Sequence, residues 1–260
     1  AQNADGRPEF RETLLEAAHL ADQTDDVPLL ARAALTNSRG WLSQIGVLDT
    51  ERLAVIDRAL ERLGDDHPDL RAPLLGLSVM EREYHAPIEE RLAQAREAVA
   101  LARTSGDPSA LVETISQVSL GVAVAWTATE RLEWLTEAVP AADEVGDQWF
   151  RYEIRTRVRM CALELGDRDL VDRVTAEEDQ LVDHLPPVSR WAYTFNRAYL
   201  ALLDGDLARG EQLATEALTI GTELSQPDAA DMYGAQYANL QEMKCCFGEL
   251  VPLVEETVQR

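Results

Sequence analysis

Turn-forming residues recur about every forty positions along this 260-residue chain, in two interleaved sets, and few folds satisfy such a ruler. One set runs Asp25, Asp65, Asp107, Asp147, Pro187 and Asp228, at steps of 40, 42, 40, 40 and 41. The other runs Gly46, Pro87, Thr127, Asp167, Asp206 and Gly248, at steps of 41, 40, 40, 39 and 42. A fixed period of this size is the signature of stacked repeats, each of which buries its apolar face only against its neighbours. Such an array has no single globular core, so the length imposes no domain boundary. We read residues 1–260 as one repeat domain.

Between marks the apolar positions recur at three and four, as an amphipathic helix requires. The pattern predicts helices over 8–23, 27–38, 50–63, 68–84, 88–104, 108–126, 129–145, 148–165, 169–185, 188–203, 207–224, 229–246 and 249–258. Pro28 and Pro87 suit helix starts, Thr129 is expected to cap its helix, and Pro140 is expected to kink it. Connectors this short make consecutive helices antiparallel, so the expected fold is all-α: a right-handed superhelical solenoid of helix hairpins. A small residue followed by a larger apolar one recurs in the second helix of the hairpins, at Ala59-Leu60, Ala98-Val99, Ala138-Val139 and Ala217-Leu218. The fourth hairpin has Glu177-Glu178 there, which predicts looser or shifted packing.

The spacing of Ala198, Gly205, Gly210, Ala217 and Leu218 resembles the tetratricopeptide pattern, with a period of about 40 in place of the usual ~34. The runs Glu90-Arg91-Leu92, Arg96 to Arg103, Gly106-Asp107-Pro108, Leu163 to Asp167 and Gly234-Ala235-Gln236 resemble the tetratricopeptide-like arrays of large actinobacterial regulators. These are of the LuxR type or linked to an NTPase. The resemblance implies a non-catalytic segment for protein interaction or ligand sensing, accompanied in the parent chain by an NTPase module and a DNA-binding or cyclase domain. The helix phase, opening and closing on the second helix of a hairpin, fits a fragment of a larger protein.

Composition narrows the function. Twenty-four Lys plus Arg against 47 Asp plus Glu give a formal charge of −23, which opposes direct contact with nucleic acid. Three cysteines, two of them adjacent at Cys245-Cys246, do not make a disulfide framework, and a reducing cytoplasm is the expected compartment. The longest apolar passage, 120–126, is too short to cross a bilayer, so no membrane association is expected. No glycine-rich phosphate loop occurs, and His19, His67, His85 and His184 form no ligand motif. They are read as solvent-facing or capping; a rival reading, an α-solenoid enzyme, would use His85 or His184 as acid or base. No catalytic residue, cofactor or metal is expected.

One constellation stands out against the acidity. Arg151, Arg155 and Arg159 fall at steps of four on one helix face, with Tyr152 among them. The next repeats supply Arg190, Tyr193, Arg197 and Tyr233. On the concave side of an array these groups would hold a protein or peptide partner, a domain of the parent chain, or a small anionic effector. The competing reading pairs the arginines with carboxylates of neighbouring helices. A third makes the array a permanent assembly scaffold, a reading that an exposed apolar stripe would favour.

Overall fold

The computed structural model describes residues 10–37 and 48–251. Among them are twelve α-helices, a few short 3-10 turns and no strand, so the chain is all-α. The helices are α1 Phe10–Gln23, α2 Val27–Thr36, α3 Thr50–Leu63, α4 Pro68–Glu81, α5 Ile88–Ser105, α6 Pro108–Gly121, α7 Ala128–Val145, α8 Gln148–Leu165, α9 Arg168–Asp179, α10 Pro187–Leu203, α11 Leu207–Glu223 and α12 Ala229–Met243. They fall into two compact units, one ending at His184 and one beginning at Leu185.

The forty-residue marks are largely helix starts. Pro87, Asp107, Thr127, Asp147, Asp167, Asp206 and Asp228 each occupy the N-cap position of the next helix. At four connectors a glycine with φ between 68° and 79° precedes the aspartate: Gly106-Asp107, Gly146-Asp147, Gly166-Asp167 and Gly205-Asp206. The glycine ends one helix in the left-handed region, and the carboxylate then accepts from an amide of the next first turn, such as Ser109 N to Asp107 Oδ1 at 2.9 Å and Leu170 N to Asp167 Oδ1 at 3.0 Å. Two residues thus stop one helix and start its successor.

In the first unit each helix packs on the next, and the even-numbered helices also pack on one another in the order α2, α4, α6, α8. Small residues permit this. A Cβ on Gly121 of α6 would lie 2.7 Å from Val79 Cγ1 and 2.8 Å from the backbone nitrogen of Met80, on α4. The core includes Leu74, Leu77, Val79, Val112, Ile115, Leu135 and Ile154, with Ala59, Ala98 and Ala138 wholly buried at the recurring small position. Ion pairs join odd-numbered helices: Arg58 and Arg62 reach Asp22, Arg96 reaches Glu130, and Arg103 reaches Glu137. The second unit packs α10, α11 and α12 mutually, around Trp191, Ala198 and Ala217.

Several local expectations are corrected: the helices predicted over 68–84 and 229–246 end at Glu81 and Met243. The helix predicted to reach Trp126 stops at Gly121, where the chain turns and then makes a 3-10 turn, Ala125–Thr127. Thr127, not Thr129, precedes α7, and its Oγ1 donates to Val122 O and Val124 O instead of capping an amide. The helix predicted over 169–185 ends at Asp179, before a 3-10 turn at Val182–His184. Helix α7 continues through Pro140 to Val145. The mark at Gly46 and most of the helix predicted over 249–258 lie outside the described residues.

Candidate functional site

The arginine stripe on α8 is engaged by neighbouring carboxylates. Arg151 Nε donates to Asp143 Oδ1 at 2.9 Å. Arg155 reaches Asp143 Oδ2 and Glu177 Oε2, each at 2.9 Å. Arg159 Nε lies 3.0 Å from Glu178 Oε2, and both side chains are almost wholly buried, at 1% and 2% exposure. Tyr152 is buried as well. The pairing reading therefore accounts for all three arginines. Glu178 also explains the odd fourth hairpin: counted from the N-caps it, and not Glu177, corresponds to Ala98, Ala138 and Ala217, and it accepts from Arg159 and from Thr156 Oγ1 at 2.7 Å.

The other four residues lie in the second unit, on α10 and α12. Arg190 is exposed, and Tyr193, Arg197 and Tyr233 are half-buried. Tyr233 stacks on Tyr237 with ring centroids 5.9 Å apart, beside a cleft that Leu202, Gly210 and Gln236 also line. The cleft is too narrow to hold a water molecule. The four histidines are exposed, as expected, while Cys245 is exposed and Cys246 half-buried. Cys161 is buried, and burial pushes its thiol up to about 11. Among the described residues no group of His, Cys, Asp and Glu is arranged to hold a metal ion.

Sequence reading missed two features. The first is a polar cluster where α6 meets α8. Arg157 is buried; its Nε donates to Ser116 Oγ at 3.1 Å and its Nη2 to Glu153. Glu113 lies near Glu153, and burial foremost, then repulsion from Glu153 and Asp107, raises its carboxyl to about 7. Polar residues at helical spacing carry no mark of burial in the sequence. Only the packing of α6 between α4 and α8 buries Thr114, Ser116, Gln117 and Ser119.

The second is a row of exposed apolar side chains. Tyr84, Trp126 and Leu165 are 59%, 63% and 44% exposed, and each stands at or just beyond the C-terminal end of an even-numbered helix, α4, α6 or α8. In the second unit Leu203 and Met243 hold the same place on α10 and α12. Buried arginines fix the loops of the first unit's row. Arg91 donates to Ala86 O at 3.0 Å and to Gly121 O, tying the turn after Tyr84 to the end of α6. Arg131 donates to Val124 O at 3.3 Å and to Glu164, tying the turn before Trp126 to the end of α8. A sequence signal for these clamps exists: the triplet Glu-Arg-Leu occurs at 51–53, 61–63, 90–92 and 130–132, and its arginine is buried in the three copies that lie near the start of an odd-numbered helix, Arg52, Arg91 and Arg131, but only half-buried at Arg62, near the end of one. Comparison with known proteins finds no matching family model and no matching curated protein.

Proposed function

We propose that the chain is a tetratricopeptide-like solenoid with a period of about forty residues, and that it serves as the non-catalytic interaction or ligand-sensing segment of a bacterial transcriptional or signalling regulator. The reading places it in the cytoplasm, bound to a protein or peptide, to a domain of its own parent chain, or to a small anionic effector. The chain works by recognition: a partner that binds one state of the parent protein more tightly biases its switch. The recurrence of helix starts and the packing of successive even-numbered helices support the architecture. The observation that carries the function is the row Tyr84, Trp126 and Leu165, because large apolar side chains held in water at or beyond the ends of three successive even-numbered helices favour a surface that something else covers.

The test is an in-frame deletion of the codons for residues 10–251 in the host gene, followed by transcript profiling and complementation. Altered transcript levels that the intact gene restores are expected. An unchanged profile would sink the regulatory reading. The same row also favours a second reading, a permanent assembly scaffold; sedimentation of the chain over a range of concentrations separates the two, since a scaffold gives a stable oligomer at every concentration.

A further inference from the structure

Resting on that reading, we infer that the row Tyr84–Trp126–Leu165 is a docking edge for a basic amphipathic helix of a protein partner. Three observations converge on this occupant. The first is the form of the row. Leu165 ends α8, while Tyr84 and Trp126 stand in the connections that follow α4 and α6, and these three helices pack side by side, α4 on α6 and α6 on α8. Gly76 of α4 lies against Thr114 and Gln117 of α6, and Gly121 of α6 against Val79 and Met80 of α4, so these two helices run in the same direction, and Arg157 of α8 reaches Ser116 of α6. Arg91 and Arg131 then hold the three loops to one another from beneath. The aromatic side chains therefore stand on a rigid support, as residues that dominate interfaces commonly do.

The second is spacing. Packed helices lie roughly 8–10 Å apart, which sets the scale on which the elements carrying the anchors succeed one another. Two turns of an α-helix rise about 10.5 Å. A partner helix with apolar residues at i, i+7 and i+14 thus meets all three anchors along one stripe, while an extended strand, rising about 3.3 Å per residue, alternates its side chains to opposite faces and meets successive anchors from the same face less readily.

The third is charge. In the opening turns of the helices that follow the row residues, Glu89 and Glu90 on α5, Glu133 on α7 and Asp169 on α9 are exposed carboxylates. The cations of the same loops are already engaged: Arg82 with Asp57, Arg131 with Glu164 and Arg168 with Asp172. The row is apolar and the helices that lead away from it open with exposed carboxylates, on a chain of net charge −23. A segment bearing lysine or arginine beside its apolar stripe matches both, and a second copy of this acidic chain matches only the apolar row.

The experiment is a fluorescence anisotropy titration of the 260-residue chain against a labelled synthetic helix of about 18 residues, with leucines at i, i+3, i+7, i+10 and i+14 and lysines elsewhere. Saturable binding is expected, weakening as salt is added. Trp126→Ser should weaken it at least about tenfold, and Trp126→Ser with Tyr84→Ser should weaken it further. Both side chains face solvent, so circular dichroism should report unchanged helicity. Absence of binding, equal binding by the double variant, or equal binding by the same peptide with glutamates in place of lysines overturns the inference. So does a wild-type dimer that the double variant loses, because the edge then belongs to a second copy. If the peptide fails while deletion of the array still alters transcription, the partner class falls and the proposed function stands.

Discussion

Arg159 and Glu178 form the most consequential pair in the first unit. Elsewhere the corresponding positions of a helix pair, 19 residues apart, are small or apolar: Val79 and Ala98, Ser119 and Ala138, and Ala198 and Ala217. Here both are charged and both are buried. A buried ion pair contributes little net stability compared with apolar residues of fitting volume, but removing one partner strands the other. Arg159→Ala should therefore lower unfolding stability by about 3–5 kcal/mol, because Glu178 keeps only Thr156 as a donor. Arg159→Val with Glu178→Ala restores the pattern of the second hairpin and should be neutral or stabilising by about 1–4 kcal/mol in urea unfolding. A double variant as unstable as the single one would mean that the pair's volume, not its charge, matters. Sequence showed the arginine stripe and the aberrant glutamates separately. That they answer each other depends on the facing of α8 and α9, which a one-dimensional pattern does not encode.

Glu113 gives a second residue-scale expectation. Its carboxyl titrates near 7 in the folded chain, above the ordinary carboxylate range, so folding favours its protonated form. The stabilisation is complete at pH values below the unfolded pKa of about 4.3 and is lost as pH rises through about 7. Glu113→Gln removes that dependence and should raise stability at pH 8 by about 2–3 kcal/mol over wild type, with little difference at pH 4. Urea midpoints of both proteins at the two pH values check it; a constant difference would place the strain elsewhere than in the charge. The environment responsible comes from Glu153 on α8 and Asp107 at the start of α6, together with burial.

At the scale of the element, helix existence and starts were legible because the chain writes them locally. Helices α3 and α8 have the predicted limits, and the Gly-Asp connectors encode both a stop and a cap. Helix ends fared worse. Apolar periodicity carries the predicted helix on to Trp126, while the real end at Gly121 is shaped by contact with α4. That contact makes Gly121→Ala informative. Alanine favours a helix over glycine by about 1 kcal/mol, but its Cβ would press on the backbone of α4, and overpacking of this kind costs about 1–3 kcal/mol. Gly121→Ala should destabilise the chain, whereas Gly234→Ala on α12, where a Cβ meets nothing within 4 Å, should stabilise it by about 0.5–1 kcal/mol. Thermal unfolding of the two variants reads the difference, and equal shifts of one sign would show that α4 and α6 do not meet so closely.

For the whole molecule, the recurring glutamate-arginine-leucine triplets, the Gly-Asp connectors and the order α2, α4, α6, α8 all point to interchangeable units, and interchangeability is itself testable. In a solenoid each unit contacts only its neighbours, so stability is close to a sum of unit and interface terms. Removing residues 68–107 deletes one period and joins His67 to Pro108. Asp65 to His67 then lead into α6 as they formerly led into α4, and α6 inherits the place of α4 against α2. Removing residues 88–107 deletes half a period and puts α6 where α5 belongs, so the polar residues Thr114, Ser116 and Gln117 must occupy the place of an odd-numbered helix. The full-period deletion should retain helical circular dichroism and a cooperative urea transition at reduced stability, while the half-period deletion should lose cooperativity or aggregate. Equal behaviour of the two would break the solenoid reading at its foundation, because forty residues would then have no privileged standing over twenty.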